Sequence, residues 1–174
     1  IKTFFIKDIL FNNNDFYDIM NTIKLKGNKS PNGKAIILNK RAKALASYPH
    51  LRQYNGLLYV SGTSSRRPNN THVGATKDIN TGKWTLDIKL QTRAVLENIK
   101  LILNSVNAGL QHCIQLTVFL IDFRDYAGMN EVYNEYFDAD TGPTRTCVAV
   151  ARLPHPNLLI EIQAIAAQPT SDMI

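Results

Sequence analysis

The sequence predicts an α+β fold in which a sheet packs against helices as a two-layer sandwich. Two segments carry apolar residues at helical spacing, and five or six others have the alternation or the β-forming content of strands. The helices fall between strands, an order that favours one layered domain over separate helical and sheet units. A chain of 174 residues is long enough to bury one sizeable core.

The first part of the pattern predicts two strands, a loop and a further short strand. Residues 34–38 and 57–61 are apolar runs, and Gly62 closes the second of them. Residues 63–72 lack a large apolar side chain, which is typical of a loop. Trp84–Leu86 follows a turn signal and predicts a short strand.

Two amphipathic segments predict the helices. Residues 88–106 carry one apolar stripe, with Asp87 as the N-cap and Gly109 just past the end. Residues 126–137 carry a second stripe, and a Gly-Pro pair stops it. Asn130 is unusual because it is polar on an apolar helix face, and the pattern alone favours a bond from it to the backbone.

The last strands hold the most informative charges. Residues 114–120 alternate, and residues 144–153 and 158–167 flank a turn and predict a hairpin. In such a hairpin Arg145 and Glu161 point to the same face across small side chains, an arrangement that can hold a small polar molecule. The alternative is that Arg145 pairs with a carboxylate and Glu161 lies on an exposed strand face.

The loop after Gly62 is a second candidate site. Arg66 and Arg67 present forked donors that suit carboxylates, although the pattern by itself favours a solvated basic loop. The spacing of a phosphate-binding P-loop is absent. Cys147 is more typical of a small strand residue than of a nucleophile.

Composition and charge exclude several classes of function. Lys and Arg exceed Asp and Glu by six, but half of this excess lies in residues 1–34, so nucleic-acid binding is not expected. The apolar runs are far shorter than the ~20 residues that span a bilayer, so no membrane association is expected. The four histidines and two cysteines lack metal-ligand spacing, which predicts no metal site and no disulfide scaffold.

Residues 1–33 are predicted to be a leader or extension of unknown role, and residues 34–174 the folded domain. The chain begins at Ile1 rather than Met, so we treat the true start of the protein as missing. Its first residues lack the clean apolar region and the cleavage site of a signal peptide. We therefore expect a cytoplasmic protein, with a mitochondrial location as the alternative.

The segment from about residue 48 to residue 167 resembles the RidA/YjgF family, small deaminases that act on enamines and imines. Its most specific motif runs from Gly142 to Val148, and a second match surrounds Glu161. Residues 61–68 and 153–162 are most similar to the 2-aminomuconate deaminase subgroup. The other matching stretches are residues 59–62, 91–93, 97–99 and 130–133.

The resemblance implies a chorismate-mutase-like fold, with a mixed sheet and two helices on one face, and a homotrimer with sites between subunits. It implies no metal and no organic cofactor. Arg145 matches the arginine that binds the substrate carboxylate, and Glu161 matches the acid that positions or activates water. The further candidate substrate-binding residues are Tyr48, Ser61, Asn130 and Cys147.

The reaction that the resemblance implies is hydrolysis of an enamine or imine carboxylate with release of ammonia. The expected substrate is 2-aminomuconate, from tryptophan (kynurenine) or aromatic degradation. This substrate has two carboxylates, so a second cation is needed, and Arg66 or Arg67 is the candidate. The alternatives are a broad 2-iminobutanoate/2-iminopropanoate deaminase, a non-catalytic carboxylate binder and a ribonuclease.

Overall fold

A seven-stranded sheet is the main layer of residues 29–169, the part of the chain that the computed structural model describes. Its strands lie in the order β1-β2-β3-β4-β9-β7-β8, and a separate hairpin is formed by β5 and β6. The bounds are β1 Lys29–Ser30, β2 Gly33–Ile36, β3 Leu51–Tyr54, β4 Leu57–Thr63, β5 Ala75–Lys77, β6 Trp84–Leu86, β7 Cys113–Leu120, β8 Thr144–Ala149 and β9 Ile160–Ala167.

Two helices form the second layer. The first, α1 (Ile88–Asn104), begins where Asp87 caps it, because the Asp87 side chain accepts a hydrogen bond from the Leu90 N–H at 2.9 Å. The second, α2 (Tyr126–Tyr133), is shorter than predicted, and Phe137 continues to pack on the core after the helix has ended. The mixed sheet with two helices confirms the predicted α+β class.

The core lies between the helices and one face of the sheet. One face of α1 and one face of α2 pack against the central strands. Side chains on a helix face recur about every 3.6 residues, and those on a strand face recur every second residue. Fully buried members of this cluster include Leu58, Val95, Leu96, Ile99, Leu103, Leu116, Val118, Leu120, Met129, Ile160 and Ile162. The opposite face of the sheet has no helix over it in the described part of the chain.

The predicted hairpin between the last two strands is wrong. Strand β8 pairs in parallel with β7, and β7 pairs antiparallel with β9, so β7 lies between the two strands that were expected to be neighbours. The reason is that β7, α2 and β8 form a strand–helix–strand crossover, which places its two strands in parallel. Pairing of β9 with β4 then completes the sheet on the other side.

Arg145 and Glu161 therefore do not share a face. Arg145 is in register with Leu116, which is fully buried under the helices. Glu161 is in register with Phe119, three residues further along β7, so it points to the uncovered face. The sequence-based prediction of a shared face depended on the hairpin and fails with it.

The sheet extends into the predicted leader. Lys29 pairs with Lys34 and Ser30 pairs with Gly33, so β1 lies within residues 1–33. The remainder of that segment falls outside the described residues, and the domain boundary and the predicted location of the protein stay predictions. Among residues 29–169, the helices are too short or too polar to cross a membrane.

Candidate active site

An open groove of about 720 Å³ lies at the edge of the uncovered sheet face, where β4 ends and β9 begins. This volume is in the range of small-molecule sites. Four residues predicted from the sequence line it, namely Tyr48, Ser61, Arg66 and Glu161. Its other polar or aromatic lining side chains include Ser64, Asn70, His72, His155 and Gln163.

Glu161 supplies the only carboxylate among the groove-lining residues of the described chain. It is half-buried on β9 and forms neither a hydrogen bond nor an ion pair with any residue between 29 and 169. Burial raises the pKa of the Glu161 carboxyl above its ordinary value. A partly desolvated acid without a protein partner is suited to proton transfer with a bound molecule.

Gly62 makes room for this carboxylate. Between Val60 and Thr63 strand β4 advances one residue more than β9, and this bulge brings the Gly62 backbone against Glu161. A Cβ atom at Gly62 would lie 3.1 Å from the Glu161 Cδ and closer still to Oε1. Any side chain at position 62 would therefore displace the carboxylate.

Tyr48 and Ser61 form one wall of the groove and are held by local hydrogen bonds. The Ser61 hydroxyl donates to the Pro49 carbonyl at 2.7 Å, so its lone pairs remain available to a ligand donor. The Tyr48 hydroxyl accepts from the Leu45 N–H at 3.4 Å and keeps its own proton to donate.

The two arginines of the loop after β4 have different surroundings. Arg66 lines the groove, and its guanidinium donates to the Lys43 carbonyl. Arg67 is exposed, does not line the groove, and donates to the Thr71 hydroxyl at 3.3 Å. The structure therefore separates two candidates that the sequence left equal, and it brings only Arg66 near Glu161.

Arg145 lies on the other face of the sheet in a cage of side chains from α2. Its Nη1 donates to the Asn130 Oδ1 at 2.7 Å, and its Nη2 donates to the Tyr126 hydroxyl at 3.1 Å. The guanidinium also lies 4.5 Å from the centre of the Tyr133 ring. The expectation that Asn130 bonds to the backbone is wrong, because this amide holds the arginine.

No carboxylate in the described part of the chain pairs with Arg145. Its neighbours are an amide, two phenol rings and the Met129 sulfur, which fix its position without neutralising its charge. Among residues 29–169, this excludes the alternative that Arg145 serves in a structural ion pair. A fixed guanidinium without a counter-ion is suited to bind an anionic ligand.

Cys147 shares the face of Arg145, two residues along β8, and packs against the edge of the core. Burial raises the pKa of its thiol, and the nearby Arg145 charge opposes this only in part. The thiol is therefore less ionised than a free cysteine, which disfavours nucleophilic catalysis. No group of three or more His, Cys, Asp or Glu side chains able to hold a metal occurs among the described residues.

His72 and His155 line the groove together, although the histidines show no metal-ligand spacing in the sequence. Their rings stack with centroids 4.3 Å apart and an interplanar angle of 29°. The two residues belong to different loops, and no spacing in the sequence signals that these loops meet.

The fold and the groove define a small α+β protein in which, among residues 29–169, a carboxylate on one sheet face and a guanidinium on the other each lack an ion-pair partner. The profile of the family described as Endoribonuclease L-PSP matches residues 38–168, and the chain belongs to this family, that of the RidA/YjgF proteins.

Known relatives match most of the chain. A RutC family protein from Pyrococcus horikoshii is 41% identical over 134 residues, which cover 76% of this chain and 97% of the relative. The 3-aminoacrylate deaminase RutC of Acinetobacter baylyi is 38% identical over 124 residues, covering 70% of this chain and 87% of the relative. The crystal structure of Escherichia coli TdcF with bound serine gives a TM-score of 0.63 at 33% identity, covering 78% of this chain and 99% of that one.

Proposed function

We propose that this protein is a hydrolytic deaminase of enamine or imine carboxylates. The observation that carries the proposal is Glu161, a half-buried carboxylate without a protein partner among residues 29–169, in a groove of metabolite size. A relative named 3-aminoacrylate deaminase supports the substrate class, because 3-aminoacrylate is itself an enamine carboxylate.

The chemistry needs few protein groups because the substrate is already reactive. The enamine takes a proton on carbon and becomes the iminium ion, and water then adds to the C=N carbon. The tetrahedral adduct expels ammonia with the C–N electron pair, loses its hydroxyl proton and leaves a carbonyl compound. In this scheme Glu161 accepts a proton from the attacking water and returns one to the leaving nitrogen, a contribution of typically ~10²–10⁴-fold.

Arg145 binds the substrate carboxylate next to the reacting carbon in this proposal. Because Arg145 and Glu161 face opposite sides of one chain, the site requires a second copy that carries its Arg145 to this groove. A homotrimer, which the family resemblance implies, provides such clefts. The exposed apolar side chains of Tyr59 and Val148 on the uncovered sheet face are suited to an interface between copies.

The finer proposal is that the substrate is 2-aminomuconate. Its second carboxylate needs a cation in the groove, and Arg66 is in position to supply it. The broad 2-iminobutanoate/2-iminopropanoate deaminase remains the alternative, since these substrates have a single carboxylate and need only Arg145 and Glu161.

The test is an ammonia-release assay on enzymatically generated 2-aminomuconate beside 2-aminoacrylate. Faster turnover of 2-aminomuconate supports the 2-aminomuconate deaminase, and faster turnover of 2-aminoacrylate supports the broad 2-iminobutanoate/2-iminopropanoate deaminase. Glu161→Gln serves as the control for both substrates. Ammonia release that is the same in wild type and in Glu161→Gln would indicate a carboxylate binder rather than an enzyme.

A further inference from the structure

One wall of the Glu161 groove is formed by the stacked pair His72 and His155, to which the proposed reaction assigns no role. His155 is exposed, on the turn between β8 and β9, whereas His72 is only 7% exposed. The pair therefore combines one ring that a ligand can reach with one ring that supports it from below.

The His155 ring is restrained by its neighbours and offers a hydrogen-bond donor to the groove. Its Nδ1 accepts a hydrogen bond from the Asn157 N–H at 3.1 Å. A ring nitrogen that accepts carries no proton, so the ring proton lies on Nε2. Stacking on His72 and this bond to the backbone together restrict the ring, and Nε2–H is left to donate to a ligand.

His72 acts as the support rather than as a second charge. Its Nε2 is buried and has no hydrogen-bond partner in the described chain. Burial lowers the pKa of His72, and the nearby charges of His155, Arg66 and Arg67 lower it further. A neutral His72 ring adds no charge to this wall and serves as a flat support for His155.

The donors on this wall have no acidic partner. Arg66 bonds to a backbone carbonyl, and neither Arg66 nor His155 forms an ion pair with an Asp or Glu of residues 29–169. Forked guanidinium donors and an imidazole N–H are groups that bind carboxylates. The ligand group that this wall fits is an anion held by hydrogen bonds.

We propose that His155, supported by His72 and next to Arg66, forms a subsite for the second carboxylate of a dicarboxylic substrate. The inference rests on the proposed deaminase function and names its substrate class, since the reacting carbon lies at Glu161 and the remote carboxylate at His155. A monocarboxylic substrate leaves the subsite unused.

Calorimetric binding of two stable acids tests the subsite without turnover. Muconate and sorbate share a six-carbon diene, and sorbate has a methyl group in place of one carboxylate. We expect the wild type to bind muconate about five- to tenfold more tightly than sorbate. A partly exposed hydrogen bond to a carboxylate contributes about this much affinity. His155→Phe keeps a ring that can stack on His72 but removes the donor, so the ratio should fall towards one.

Two further variants control the interpretation. His155→Gln keeps an N–H donor and should retain part of the preference for muconate. Arg152→Ala removes a cation from the same turn, outside the groove, and should keep the full ratio. Should His155→Phe fail to fold, as circular dichroism would show, His155→Ala gives the same measurement.

Three results would overturn the subsite: equal affinity of the wild type for both acids, binding of neither, or an unchanged ratio in the folded His155 variant. Ammonia release from 2-aminoacrylate, which has one carboxylate, tests the deaminase function separately. A protein that deaminates 2-aminoacrylate yet fails the muconate test is a deaminase without this subsite.

Discussion

Arg145 and Glu161 lie on opposite faces of one sheet, on strands that β7 separates. Arg145 stands beside Leu116 on the helix side, and Glu161 stands beside Phe119 on the uncovered side. Each charge lacks a counter-ion within the described residues. Two unpaired charges that one chain cannot bring together are the arrangement expected of a site shared between copies.

Mixed oligomers test this sharing. Arg145→Ala and Glu161→Gln should each retain only a small residual activity alone. Co-expressed in equal amounts, the two variants should recover about one quarter of wild-type ammonia release, because random assembly gives that fraction of sites both intact groups. Mixing that restores no activity would mean that the two groups do not act in a shared site. Light scattering on the wild type gives the number of copies.

Glu161→Gln should lower kcat by ~10²–10⁴-fold while the fold is retained. In the wild type, kcat/KM should fall as the pH is lowered through the raised pKa of the half-buried Glu161 carboxyl, because the protonated acid cannot accept a proton from water. A pH profile of kcat/KM checks this. An acidic limb that persists unchanged in the residual activity of Glu161→Gln would assign the titration to another group.

The same substitution should stabilise the protein at neutral pH. Because burial raises the folded-state pKa of Glu161, this group favours the folded state at low pH, and that contribution is lost as the pH rises through the folded pKa. Glu161→Gln should thus raise Tm at pH 7, by a few degrees at most, because the neutral amide avoids the cost of burying a charge. The gain should shrink as the pH is lowered below the ordinary pKa of a glutamate carboxyl, where the acid is neutral in both states. A lower Tm at pH 7 would contradict the assigned cost of burying the charge.

Gly62→Ala should reduce kcat/KM about tenfold or more, because the added Cβ displaces the Glu161 carboxylate from its place beside β4. The measurement is ammonia release together with Tm. Ser61→Ala, one residue earlier, removes a hydroxyl without adding an atom and should reduce kcat/KM by less. Wild-type activity in Gly62→Ala would show that the position of the carboxylate is not critical.

Replacement of Arg66 by alanine and replacement of Arg67 by alanine should have different effects on kcat/KM. Arg66→Ala should lower kcat/KM on 2-aminomuconate about tenfold and leave 2-aminoacrylate within about threefold, since only the dicarboxylate needs the second cation. Arg67→Ala should change neither by more than about threefold, because the side chain lies outside the groove. Equal losses on both substrates in Arg66→Ala would refute its role with the second carboxylate.

Arg145→Lys should lower kcat/KM about 10- to 100-fold, because lysine keeps the charge but cannot form the forked pair of hydrogen bonds. It also loses the bonds to Asn130 and Tyr126 that aim the guanidinium. Arg124→Lys, at an exposed arginine paired with Asp122, is the matched control and should be neutral. Near-normal turnover of Arg145→Lys would count against a carboxylate-binding role.

Local patterns predicted the elements of this fold well. The apolar stripe of α1, its Asp87 cap and the alternation of β7 each depend on residues close together in the chain, and each is found in the structure. The end of α2 was placed too late, at residue 137, because Phe137 is apolar at helical spacing yet reaches the core from a turn.

The sequence by itself determined the family, the two helices, most strands and the charged residues worth examining. Only the tertiary structure decided which of these residues meet. Strand order is set by long-range pairing, so the insertion of β7 between β8 and β9 put Arg145 and Glu161 on opposite faces. The approach of Gly62 to Glu161 and the stacking of His72 on His155 arise likewise between segments far apart in the chain, where no local pattern records them.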